Sequence, residues 1–121
     1  MENVRIAVIG LNTEETAFIA TTFRYCVNRG IATYESLESF IGNRSTAKET
    51  DIVIVQYPSG TGNDDTPVAS IRKYSPGALC IITSDDPSDE ERGRLAGADG
   101  FLAKPYTAHD IFAIVDAFIV P

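Results

Sequence analysis

Residues Gly97–Pro105 read GADGFLAKP. Gly97 follows a run compatible with a helix and suits the left-handed position that closes one. Phe101–Ala103 is a very short apolar strand. Lys104-Pro105 breaks it, because proline has no N–H to give to a sheet ladder. A helix stop, a strand and a break in so few residues mark the joint of a βα unit, and the same unit recurs along the chain.

Upstream, Ala78–Thr83 (ALCIIT) predicts a fourth strand. After Ser84-Asp85-Asp86-Pro87, Ser88 and Glu91 have capping-box spacing. The helix they open is poor in large apolar residues, with Leu95 the main one. Ile52–Val55 is the most buried-looking strand and ends on Gln56. Tyr57–Asp65 (YPSGTGNDD) is a Gly/Pro/Asp loop. Thr66-Pro67 offers an N-cap and a proline at the first helical position, for a helix running to about Tyr74 and ended by Pro76-Gly77.

Nearer the start, Val4–Gly10 (VRIAVIG) has the length of a strand buried on both faces and stops at a glycine. Asn12 opens a helix with Glu15 as its capping partner; Ile19, Phe23, Cys26 and Val27 share one face, and Gly30 lies beyond its end. Ile31–Tyr34 is a short strand. A short helix starting at Ser36 carries Leu37, Phe40 and Ile41, and Asn43–Thr50 reads as polar and irregular. At the other end, Thr107 and Asp110 cap a final helix to about Ile119. Five βα units in strict alternation predict an α/β fold with a five-stranded parallel sheet covered on both faces, most simply in the flavodoxin-like order 2-1-3-4-5. Ligand sites in such sheets lie at the carboxyl ends of the strands, here Gly10–Asn12, Gln56–Pro58, Thr83–Ser84 and Lys104.

The chain has 121 residues, 44% of them apolar, and a formal net charge of −7. That length suits one domain spanning residues 1–121. The acidity argues against direct nucleic-acid binding, which needs clustered Lys and Arg, and against anionic membranes. No apolar stretch approaches the roughly 18 to 20 residues needed to span a bilayer. Cys26 and Cys80 both lie in apolar runs and read as buried, reduced thiols of a cytoplasmic protein. Two Cys and the single His109 cannot close a structural zinc site without carboxylates.

Thr83-Ser84, together with Gly97–Pro105, resembles a response-regulator receiver domain, and the likeness in element order and spacing covers the whole chain. The resemblance implies a site of five positions: two acids after strand 1 that hold Mg²⁺, a phosphoacceptor Asp ending strand 3, a Thr or Ser after strand 4, and a Lys after strand 5. Carried over, Thr83 matches the hydroxyl, Lys104 the lysine and Phe101 the aromatic switch residue. The other three positions depart. The strand 1 acids fall at Gly10 and Leu11, or at Leu11 and Asn12, and neither register gives an acidic pair. The acceptor position is Gln56, whose amide cannot form an acyl phosphate. Pro58 follows two residues after Gln56, where the family usually has a proline four residues on. Phosphoryl transfer depends on positioned charge stabilisation, and these departures remove it. The resemblance therefore implies a degenerate pseudo-receiver with no cofactor and no metal, working through protein interaction. It also makes Lys104-Pro105 a candidate cis peptide. Lys104, freed from phosphate sensing, is expected to bond the Gln56 amide oxygen or nearby carbonyls.

Two surfaces stand out. Asp85, Asp86, Asp89, Glu90 and Glu91 put five acids in seven residues and read as a solvated helix start. In Ile111–Val120 (IFAIVDAFIV), nine of ten residues are apolar. A stripe of Ile111, Ile114, Val115 and Phe118 suffices for sheet packing. Phe112 and Ile119 exceed it and, with Asp116, predict a contact with a protein partner or a second copy of the chain. The resemblance places that surface on the helix after strand 4, the fifth strand and the last helix. Two rivals remain. A working phosphoacceptor domain would need an unorthodox acid set such as Glu14, Glu15 or Asp85. A nucleotide- or flavin-binding enzyme finds no G-x-G-x-x-G support in Gly10 or in Gly60-Thr61-Gly62.

Overall fold

The computed structural model describes residues 5–27, 31–57 and 66–119, apart from the side chains of residues 26, 27, 66, 115 and 117–119. Its elements are β1 (Ile6–Ile9), α1 (Thr13–Val27), β2 (Ala32–Tyr34), α2 (Leu37–Gly42), α3 (Arg44–Glu49), β3 (Ile52–Gln56), α4 (Thr66–Tyr74), β4 (Leu79–Ser84), α5 (Asp89–Ala96), β5 (Gly100–Ala103) and α6 (Ala108–Ile119). All strand pairs are parallel, and the order is β2-β1-β3-β4-β5, as the alternation predicts.

The aliphatic runs explain the layering. Successive strand residues point to opposite faces, so an unbroken apolar run feeds two cores. Ala7, Ile9, Val53, Val55, Cys80 and Ile82 join Phe40 of α2, Ala47 of α3 and Val68 and Ile71 of α4. Ile6, Val8, Ile52, Ile54, Ile81 and Leu102 join Ile19 and Phe23 of α1 and Ile111 of α6 on the other face. Cys80 is fully buried, and burial pushes its thiol up to about 12, so it stays protonated. Cys26, Val27, Val115 and Phe118 were assigned to buried faces by spacing; their side chains lie outside the described residues, as do Gly30 and Pro58.

The helix starts follow their caps. Glu15 N donates to Asn12 Oδ1 at 2.8 Å while Asn12 N donates to Glu15 Oε1 at 3.4 Å. Thr107 and Asp110 make the same reciprocal pair at α6. Ser36 caps α2 by accepting from Ser39 N. Gly97 closes α5 at φ 117°, and its neighbour Ala98 N reaches back to Gly93 O.

Two expectations fail locally. Asn43–Thr50 is not irregular: Asn43 accepts from Thr46 N and starts α3, whose Ala47 is buried. Fewer than two turns with one small apolar residue leave no periodicity to detect. Ser88 and Glu91 form no capping box at α5; the Ser88 hydroxyl instead donates to Asp86 Oδ1 at 2.7 Å, so Asp86 organises the turn. Leu95, the main large apolar residue of α5, is 82% exposed, and α5 meets the sheet through Gly93. Tyr57 lies just beyond β3, in the loop as expected, yet it is fully buried, with its backbone N–H donating to Thr83 O at 2.9 Å.

Candidate functional site

The strand ends converge at one edge of the sheet. Gly10 has φ 76°, a conformation that strains any residue with a Cβ, and its N–H donates to Tyr34 O at 3.0 Å. A Cβ built on Gly10 would stand 3.5 Å from Gln56 Cβ, so the ends of β1 and β3 lie side by side. Leu11 packs half-buried against the core shared by α1 and α6. The two positions where the resemblance implies acids thus present a bare backbone and an apolar side chain.

Gln56 is tied at both ends of its amide. Its Nε2 donates to Tyr57 O at 3.2 Å, and its Oε1 accepts from Lys104 Nζ at 2.5 Å. This is the amide contact expected for Lys104. The same ammonium lies 2.8 Å from Glu15 Oε2, and both side chains are largely buried, with 14% and 21% exposure. Lys104 N–H donates to Ser84 O at 3.0 Å, and the Lys104-Pro105 peptide is cis, as the resemblance implies. One cation therefore joins the ends of β3 and β5 to the first turn of α1. Lys104→Ala would leave a largely buried carboxylate and an amide oxygen without their donor. It is expected to cost about 1–2 kcal/mol in urea unfolding. An unchanged midpoint would show that the ammonium does not tie these elements together.

The other predicted positions are placed differently. Thr83 is fully buried, and its hydroxyl donates to Leu102 O at 2.9 Å, inside the sheet. Phe101 is half-buried and packs on the core under α2–α4. Phe112 is 44% exposed and Asp116 is exposed, whereas the side chain of Ile119 lies outside the described residues.

The acidic run is not uniformly solvated. Asp89 is 1% exposed, accepts from Ser84 Oγ at 2.6 Å and lies 3.8 Å from Arg92 Nη1, while Ser84 Oγ also accepts from Asp86 N. Hydrogen bonds to Ser88 hold the Asp86 carboxyl below its ordinary value. Sequence reasoning missed the Ser84–Asp89 bond because every acid in the run has the same local signal.

A cavity of about 380 Å³ opens beside Lys104, lined by Glu14, Glu15, Phe18, Asp85, Lys104 and Tyr106 among others. The three acids considered as unorthodox acceptors meet here. Phe18 and Tyr106 were missed; their rings stack at a tilt of 37° with centroids 6.2 Å apart. The receiver resemblance implies Mg²⁺, a hard cation wanting several oxygen ligands. The residues present do not fit it. The strand 1 positions carry no carboxylate, Gln56 is an amide, and Glu15 is already paired with Lys104. Among the described residues, no three His, Cys, Asp or Glu side chains are grouped to hold a metal ion.

No protein-family model and no curated protein sequence matches the chain. Solved structures do. The BeF₃-activated receiver domain of DrrB from Thermotoga maritima has a TM-score of 0.79 at 18% identity, covering 98% of both chains. HP1043, an orphan response regulator of H. pylori, has a TM-score of 0.76 at 23% identity, covering 95% of each chain. An atypical orphan response regulator, described with a phosphorylation-independent regulatory mechanism, has a TM-score of 0.76 at 23% identity, covering 94% of this chain and 93% of its own. These similarities are to receiver folds, and that is the fold of this chain.

Proposed function

We propose that this receiver fold serves as a phosphorylation-independent regulatory module that acts by binding protein, not by catalysis. The observation that carries the reading is the Lys104 ammonium, held by Gln56 Oε1 and Glu15 Oε2. In a phosphorylatable receiver the equivalent lysine serves a phosphoryl group. Here its charge is already compensated, and the residue beside it is an amide with no carboxylate oxygen to phosphorylate. The buried Thr83 hydroxyl, committed to Leu102 O, supports the same reading. So does the likeness to an orphan regulator described as phosphorylation-independent.

Incubating the protein with Mg²⁺ and a small-molecule phosphodonor, then reading intact mass, is expected to show no stable phosphoryl adduct. A stable gain of one phosphoryl group would overturn the reading in favour of an unorthodox acceptor among Glu14, Glu15 and Asp85.

The partner surface proposed for a second copy or another protein is α5, β5 and α6. Two large apolar side chains are exposed there, Leu95 and Phe112. Among the described residues no helix is long and apolar enough to cross a membrane. We read the module as cytoplasmic.

A further inference from the structure

α5 is fastened to the sheet differently from the other helices. α1 buries Ile19 and Phe23, α2 Phe40, α3 Ala47, α4 Val68 and Ile71, and α6 Ile111. The buried residues of α5 are Asp89 and Gly93. Leu95 points to solvent, and Ala96 packs only partly buried on the core. At Gly93 the backbone lies on Ile82 with no side chain to interlock. Detaching an element costs free energy in proportion to the apolar surface it uncovers, and α5 covers little.

What holds its first turn is polar. Asp89 is the only buried charged side chain among the described residues. It accepts from the buried Ser84 Oγ at 2.6 Å, with Arg92 Nη1 at 3.8 Å. A carboxylate withdrawn from water needs such partners, and water replaces them once it is exposed. The other end is tied more firmly. Arg72 of α4 donates twice to Gly97 O, and Arg94 donates to Asp99 O at 3.2 Å. Gly97 has φ 117°, and a glycine there can absorb the dihedral change of a hinge.

We propose that α5 is a strap that swings off the sheet about Gly97 while the strands stay folded, with the Ser84–Asp89 bond as the clasp that keeps it shut. Clasped, α5 presents Leu95. Open, it withdraws Leu95 and uncovers Ile82. The strap is a property of the chain alone, and only its bearing on partner binding rests on the function proposed above.

Amide hydrogen exchange of the ¹⁵N-labelled chain at low urea concentrations tests it. Protection at Gly93–Ala96 is expected to be at least about a hundredfold lower than at Val53–Val55, through an opening nearly independent of urea. Ile54→Val weakens the sheet, which stays folded when the strap opens. It should lower protection in β3 several-fold and leave α5 unchanged. Asp89→Ala and Ser84→Ala break the clasp and should each lower protection at Gly93–Ala96 about tenfold. Asp89→Asn keeps the shape and a weaker acceptor, so its loss should be smaller. Protection and urea dependence shared by α5 and β3 would overturn the strap, as would an α5 that follows Ile54→Val. Protection at Gly93–Ala96 that ignores both Asp89→Ala and Ser84→Ala would overturn the clasp. The measurement uses neither phosphodonor nor partner, so a phosphoryl adduct leaves it untouched and the two readings fail separately.

Discussion

Replacing Arg72 by alanine is expected to lower the stability of this chain by about 3 kcal/mol, because one guanidinium closes three segments at once. Its Nε and Nη2 donate to Gly97 O at 3.1 and 2.7 Å, and its Nη1 donates to Ala78 O at 2.7 Å. Its Nη2 also pairs with Asp99 Oδ2, which accepts from Cys80 N at 2.8 Å. α4, the start of β4 and the turn into β5 are thereby locked together. Both side chains of the ion pair are about one third exposed, so solvent screens their charges. Much of the effect therefore rests on the carbonyls that lose their donors. In a chain of this length the melting midpoint should fall by roughly 10 °C. Arg72→Lys should recover little, since an ammonium cannot reproduce the fork. A loss under about 1 kcal/mol in urea unfolding would show that water replaces these bonds at little cost.

The second large effect is expected at Gly93. A Cβ built there lies 2.0 Å from Ile82 Cδ1 and 3.3 Å from Ile82 Cγ1. Ile82 is fully buried in the core, so its Cδ1 can give way only by displacing packed neighbours. Gly93→Val should therefore cost about 2–3 kcal/mol by overpacking. Gly93→Ala should cost less, because alanine returns roughly 1 kcal/mol of helix propensity. Adding Ile82→Ala to Gly93→Val should restore part of the loss if the clash is the cause. Strictly additive losses in that double-mutant cycle would rule it out.

These two residues also show where sequence reading stops. Gly97–Pro105 was legible as a helix stop, a strand and a break because glycine, short aliphatic runs and proline act on their own backbone. Asn12 with Glu15 and Thr107 with Asp110 were legible for the same reason: a capping box is completed within one turn. Asp89 was misplaced because charged residues normally sort outward, and the exposure of Leu95 carries no sequence signal because apolar residues normally sort inward. On α5, Gly93 lets the helix lie flush on Ile82, and the buried Ser84 hydroxyl satisfies Asp89. Helix rotation about its axis is a packing outcome, and nothing in eight residues announces it.

At the candidate site the division is similar. Residue identity alone removed the acidic pair at Gly10 and Leu11 and put an amide at Gln56, since chemistry follows from side-chain type. The strand order also followed from sequence, because five alternating units leave few ways to build a parallel sheet. Only the tertiary structure decided what Lys104 does. Its partner Gln56 lies 48 residues away, and Glu15 comes from the first turn of α1. The same holds for Phe18 meeting Tyr106 and for Thr83 turning into the sheet. Each depends on how separate segments pack, and a lysine that bonds an amide and a carboxylate has the same sequence as one waiting for a phosphoryl group.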